Sequence, residues 1–269
     1  MQQLIGFVIA LVVGLTGVGG GSFTTPALVL LAGIGGAEAV GTALVFSTVI
    51  RLIAAPFYIV GKQVNFRYLG LMLLGAVPGL LGGTYLLRTV NTHFSNPIVL
   101  VGIGLMLIGS AVLTAMHHRA RITPSPGRAR LIAWLSLPIG IETGFSSAGA
   151  GALGTLLLFN FTEMTATQVV GTDLVFGIGL AFLGSLFHIG LGTINLAVIK
   201  ALLMGGVPGV LLGCLLSRRV PAQRLRYGIL ALTMLLGFQL LFTGGKAIFG
   251  ASQAAKAVTT PAASGSAIH

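Results

Sequence analysis

The sequence predicts an all-α polytopic membrane protein built from two inverted repeats of transmembrane helices, each opening with a Gly-rich broken or re-entrant helix. Three observations carry this. Of the 269 residues, 55% are AVILMFWYC and only 7% are charged, with a mean hydropathy of +1.02; a soluble domain carries about 25% charged residues, so this chain cannot cover a water-facing surface. The apolar stretches run for about 20 residues, the length that crosses the hydrocarbon. The chain also matches itself on a shift of 130: between 14–90 and 144–220, without a gap, 24 of 77 positions are identical.

Several classes drop out. A formal charge of +11 would suit a nucleic-acid binder, but the cations sit in short loops between apolar stretches, which is how a membrane protein fixes its orientation. No nucleic-acid partner is expected; the partner is the lipid bilayer. Transmembrane β-strands alternate apolar and polar residues, and these stretches do not. Cys214 is the single cysteine, so no intramolecular disulfide can form. Met1-Gln2-Gln3 offers no basic leader region, and the first hydrophobic stretch is read as retained.

In chain order the apolar stretches lie near 4–34, 39–60, 69–87, 97–116, 131–159, 168–190, 197–216 and 227–248. Repeat 1 takes 1–116, a basic linker 117–130, repeat 2 131–248, and the Ala/Ser/Thr-rich residues 249–269 a disordered tail. Two stretches are abnormal. The first contains Gly14-Leu15-Thr16-Gly17-Val18-Gly19-Gly20-Gly21-Ser22, and the fifth contains Gly144-Phe145-Ser146-Ser147-Ala148-Gly149-Ala150-Gly151. Glycine runs weaken a helix, so each stretch reads as two half-helices joined at a non-helical tip, a backbone tolerated in a membrane only where protein buries it or a cavity wets it.

The repeat match falls on residues that shared hydrophobicity does not explain. Gly14, Gly19 and Gly21 meet Gly144, Gly149 and Gly151; Val40-Gly41-Thr42 meets Val170-Gly171-Thr172; Asn65 meets Asn195; Val77-Pro78-Gly79 meets Val207-Pro208-Gly209. Charge then swaps between equivalent loops: Lys62 and Arg67 have no cationic counterpart near 192–195, whereas Arg88 faces a loop with Arg218, Arg219, Arg224 and Arg226. If each Gly-rich stretch enters and leaves on one side, the loop cations divide 10 to 4, which obeys the positive-inside rule better than eight simple crossings. Both termini then lie outside and the basic linker is cytoplasmic. Inverted repeats with paired broken helices are a secondary-transporter pattern, with the substrate where the repeats meet.

The candidate site follows. Thr25 and Pro26 suit the cap and first turn of a half-helix, and Gly151 to Thr155 open its counterpart. Two helix N-termini facing one cavity would hold an anion through backbone N–H groups and dipole. Gly19, Gly20, Gly21, Gly149 and Gly151 would let the backbone approach it, and Ser22, Thr24, Ser146 and Ser147 would add hydroxyl donors. The competing reading is that the glycines serve helix packing and the hydroxyls bond backbone. Thr42 and Thr172 either cap the next spans or line the same cavity. Arg51 sits deep in its span, where a charge costs at least about 3 kcal/mol; it holds an anionic substrate, or it is a structural ion pair or snorkels. Asp173 and Glu142 are its natural partners. The repeat equivalents of Arg51, Asp173 and Glu142 are Ala181, Ala43 and Val12, so these charges break the internal symmetry. Asp173, and with it Glu142, could take up a coupled proton; Asp173 could equally cap its own helix. His188, His117 and His118 offer no metal set, and there is no Walker A or HExxH sequence, so neither a cofactor, a metal nor an enzyme activity is expected.

The Gly-rich opening 14–21, Gly41-Thr42-Ala43-Leu44, the Pro-Gly segment 75–82 and its repeat-2 counterpart 205–213 together resemble the sulfite exporter TauE/SafE family of bacterial membrane permeases, over about 4–245. Repeat 2 departs from the pattern, with Ser146-Ser147-Ala148-Gly149-Ala150 where a second Gly-Val-Gly-Gly-Gly could stand. The resemblance implies a multi-pass inner-membrane carrier of a small anion, often sulfite or an organosulfonate such as sulfoacetate. A passive anion channel and a non-transporting scaffold or accessory subunit stay open as alternatives, as does a homodimer.

Overall fold

The computed structural model describes residues 1–16, 20–59, 64–94, 96–117, 129–217 and 222–259. Among these the chain is helical, with no strand. Repeat 1 supplies α1 (Gln2–Thr16), α2 (Gly21–Ala32), α3 (Gly36–Ile59), α4 (Phe66–His93) and α5 (Asn96–His117). Repeat 2 supplies α6 (Ala129–Ser146), α7 (Ala152–Phe161), α8 (Ala166–Gly190), α9 (Leu196–Leu216) and α10 (Ala222–Thr259). Six helices, α3, α4, α5, α8, α9 and α10, are long and apolar enough to cross a membrane.

The two Gly-rich stretches break as the sequence predicts. Helices α2 and α7 have 12 and 10 residues, hence lengths of about 18 and 15 Å, roughly half of a ~30 Å hydrocarbon core. The break in repeat 2 spans 147–151; that in repeat 1 includes Gly20, with Gly17, Val18 and Gly19 outside the described residues.

Some boundaries differ from the sequence reading. Helix α2 starts at Gly21 with Gly20 as its cap, so Thr25 and Pro26 lie inside it rather than at its start. Helix α8 opens at Ala166 on a capping box between Thr165 and Gln168, and α3 opens at Gly36, so both Gly-Thr pairs are interior. Helix α10 runs on to Thr259, through part of the stretch expected to be a tail; its alanines at 251, 254, 255 and 257 favour helix.

Packing follows the 130-residue shift. Gly75, Gly79 and Gly83 of α4 lie against the backbone carbonyls of Ala133, Leu137 and Ile141 of α6; Gly205, Gly209 and Gly213 of α9 lie against those of Gln3, Phe7 and Leu11 of α1. Every partner in the second set is the repeat equivalent of one in the first. The ascending numbers show that α4 runs parallel to α6 and α9 parallel to α1. In a membrane, where burying apolar surface drives no helix association, spaced small residues win close backbone contact. By contrast α3 and α8 run antiparallel, with Gly184 against Leu44 and Gly41 against His188. Helices α5 and α10 also run antiparallel, Gly104 meeting Leu241 and Gly244 meeting Val101.

The cores interlock accordingly. One holds Ile9 of α1, Phe23 and Leu28 of α2, Phe46 of α3 and Leu202 of α9. The other holds their equivalents Ile139, Leu153, Leu158 and Phe176, closed by Met72 of α4. Each broken-helix pair is thus covered by a helix from the opposite repeat, which fixes the two tips relative to each other.

Candidate functional site

The tips meet. The hydroxyls of Thr25 in α2 and Ser147 at the end of α6 are 2.6 Å apart, and both side chains are buried. Ser147 Oγ also donates to the Gly21 carbonyl at 3.2 Å. Gly21 itself lies against the Ser147 carbonyl so closely that any Cβ would collide with it. Ser147 has φ of 65°, the one non-glycine residue with positive φ among those described; this costs of order 1–3 kcal/mol unless the surroundings fix it. Its repeat-1 equivalent is Gly17. Gly151, at φ 117°, turns the chain into α7 by a route open only to glycine.

The expected hydroxyl donors divide. Thr24 Oγ1 donates to the Gly20 carbonyl at 2.8 Å and Ser146 Oγ to the Glu142 carbonyl at 2.9 Å, so both bond their own backbone. Thr25 and Ser147 join the tips. Ser22 is buried in the first turn of α2. Gly149 packs back on the Ile139 carbonyl and Thr143 of α6, and Gly20 on Val13 and Ile9 of α1; both hold the tips against their own repeat. Thr143, which the sequence reading missed, accepts from the Ala150 N–H at 3.1 Å.

Arg51 lies past the midpoint of α3 and is 2% exposed. Its Nη2 donates to the Ala150 carbonyl at 2.9 Å, in the repeat-2 tip. Its Nη1 lies against Gly177 of α8, where no Cβ fits, and its Nε is buried without a partner. A span-buried cation is thus spent on a tip carbonyl and retains one unused donor.

Asp173 does not cap its own helix, which starts seven residues earlier. Instead its Oδ2 accepts from Thr155 Oγ1 of α7 at 2.8 Å. Its Oδ1 lies against Gly154, and Gly151 is within reach of the carboxylate. The first N–H groups of a helix lack intrahelical acceptors, so Asp173 places a carboxylate at the N-terminus of α7. Arg51 is close enough to act on it electrostatically. In repeat 1 the equivalent position is Ala43, and among the described residues no carboxylate contact with α2 is seen. In the sequence Thr155 appeared only as part of the opening of the second half-helix, although its identity with Thr25 in the repeat match set it apart. Glu142 lies apart from this pair, beside Gly149, reaching Ser110 of α5.

Thr42 and Thr172 bond to loops of the opposite repeats. Thr172 Oγ1 accepts from the Asn65 N–H at 2.9 Å, and Thr42 Oγ1 from the Asn195 N–H at 3.2 Å. Asn65 and Asn195 in turn cap α4 and α9 with their side chains. The Gly-Thr pairs therefore tie each repeat's third helix to the loop of the other.

Known proteins frame this geometry. The chain is 27% identical to the "Probable membrane transporter protein YjnA" of Bacillus subtilis (strain 168), over 88% of this chain and 98% of that one. It is 24% identical to the "Probable membrane transporter protein YunE" of the same organism, over 90% and 96% of the two chains. No solved structure matches it significantly. The sulfite exporter TauE/SafE family matches residues 3–240, nearly all of the six spans and both broken-helix pairs, and this multi-pass membrane protein belongs to that family.

Proposed function

We propose that this membrane transporter carries a small anion, sulfite or an organosulfonate, bound where the two broken-helix tips meet, and that the repeats move about it for alternating access. The observation that carries the reading is the contact of Thr25 with Ser147, which brings the start of α2 and the repeat-2 tip to one point. The first N–H groups of α2 and the Nε of Arg51 are then the free donors for the anion, and the Thr25 and Ser147 protons, engaged in the tip contact and with the Gly21 carbonyl, would turn from those partners to the bound anion. The asymmetry between Asp173 and Ala43 supports a division of the ends in this reading: α7 faces the chain's own carboxylate, and α2 is left for the substrate. The antiparallel pairing of α3 with α8 supports repeats that cross the membrane in opposite senses. A thermal-shift screen of the detergent-solubilised protein against sulfite, thiosulfate, sulfoacetate and short carboxylates tests the substrate class, because a ligand that binds the folded state stabilises it by mass action. Stabilisation by sulfite or sulfoacetate is expected; no shift with any anion defeats the reading.

A further inference from the structure

A cavity of about 350 Å³ opens at one end of the bundle, between the end of α4, the first turn of α3 and the end of α8. It is not part of the tip contact. Its wall carries Thr84, Arg88, Asn91, Thr92, His188 and Thr193, and none of its lining residues is acidic. Two of its wall atoms are anomalous. His188 is 1% exposed, and its Nε2 has only the Gly144 backbone beside it, without a well-formed hydrogen bond; Thr84 is 5% exposed, and its Oγ1 makes none. Buried polar atoms are nearly always satisfied, so each one left over asks for a ligand.

From these residues we infer that this cavity captures a small oxyanion on its way to the tips, with Arg88 at the mouth and His188 and Thr84 at the floor. The inference rests on the anion-transport reading above. Arg88 is exposed and carries the cavity's permanent positive charge. On the floor, His188 Nδ1 is 2.7 Å from Thr193 Oγ1. The Thr193 hydroxyl also lies 3.3 Å from the His188 carbonyl, to which it can donate; when it donates to Nδ1 instead, the ring proton sits on Nε2 in the cavity that His188 and Thr84 both line. The floor also backs onto the tip. The Gly144 backbone lies beside the His188 ring, a Cβ on Gly144 would stand 3.0 Å from Thr84 Oγ1, and Gly144 is three residues before Ser147. The volume suits a hydrated anion of a few heavy atoms, at the small end of ligand pockets.

The opposing physics makes this testable. Helices α4 and α8 both end at the cavity, and helix C-termini favour cations. Asn91→Cys places a thiol in the wall, and Phe94→Cys places one on the exposed surface nearby. The native Cys214 is buried, and the unsubstituted protein sets its background. Each variant is labelled with the anionic 2-sulfonatoethyl and the cationic 2-trimethylammonioethyl methanethiosulfonate. The anionic-to-cationic rate ratio should be about tenfold higher at Asn91→Cys than at Phe94→Cys, and Arg88→Gln or His188→Gln should each lower it. Arg88 is exposed, so its variant will fold even if the histidine variant does not. A ratio at Asn91→Cys equal to or below that at Phe94→Cys, or one unmoved by Arg88→Gln, overturns the inference. This readout involves neither transport nor the tips. If the tips bind no anion while the cavity still prefers one, the transport reading alone fails.

Discussion

At the scale of single residues, the arrangement around Arg51 makes a charge act through the backbone. The guanidinium holds the Ala150 carbonyl and is kept in place by the absence of a side chain at Gly177. Arg51→Gln should weaken anion binding by more than about tenfold, since hydrogen bonds to charged groups contribute roughly 1.5–3 kcal/mol. Gly177→Ala should produce a similar loss without changing any charge, because the new methyl must push Nη1 off its position. Titration of both variants checks this; normal affinity in both would make Arg51 a packing residue. Asp173→Asn tests the other half of the asymmetry. Asparagine can still accept from Thr155, but the internal carboxylate no longer competes at α7, so anion affinity should rise by a fewfold, in line with about 0.3–2 kcal/mol for a charge at a helix N-terminus. Weaker binding in Asp173→Asn would mean that the carboxylate organises the site rather than competing with the ligand. Little of this was legible in the sequence. The three charges stood out because their repeat equivalents are uncharged, but nothing in a one-dimensional pattern says that Arg51 reaches a carbonyl 99 positions away. Nor does it show that Asp173 serves the helix before its own.

At the scale of elements, the glycine ladders hold the interlocked pairs α4 with α6 and α1 with α9. Part of them was visible in the repeat match of Val77-Pro78-Gly79 with Val207-Pro208-Gly209; the close backbone contact they make was not. Their neighbours supply a control: Gly83 meets the Ile141 backbone, whereas Gly82, one residue away, faces open space. Gly83→Val should therefore lower thermal stability by an amount typical of overpacking, about 1–3 kcal/mol, while Gly82→Val leaves it nearly unchanged. Differential scanning fluorimetry with both variants decides it; equal effects would mean that helix propensity, not the close approach, sets the cost. The half-helix starts were harder to read. Thr25 and Pro26 look like a cap and first turn, but Gly20 and Gly21 let the helix begin earlier, since close approach to Ser147 requires a residue without Cβ. The interior Gly-Thr pairs were hard to read for a related reason: their hydroxyls hold the backbone N–H of Asn65 and Asn195, the cap residues of the other repeat's helices, and a partner so far away in sequence leaves no local signature.

At the scale of the whole molecule, two copies of one five-helix plan exchange their fourth helices and bring their tips to a common point. The 24 matched positions revealed the duplication, and the loop charges gave an orientation for it. If the repeats are inverted in the membrane, Lys62→Cys and Arg128→Cys should label from the cytoplasmic side and Gly192→Cys from the other; labelling of Lys62→Cys and Gly192→Cys from one side would contradict inversion. The central claim is that the joined tips are the anion site. Isothermal titration of sulfoacetate into the wild type and the double variant Thr25→Val/Ser147→Ala tests it most directly, with Gly82→Val as a control remote from the tips. The account predicts that the double variant stays folded and loses affinity by about tenfold or more, at roughly 1 kcal/mol for each hydroxyl contact, while the control binds as the wild type does. Wild-type affinity in the double variant would place the anion elsewhere and leave the tip contact as packing alone.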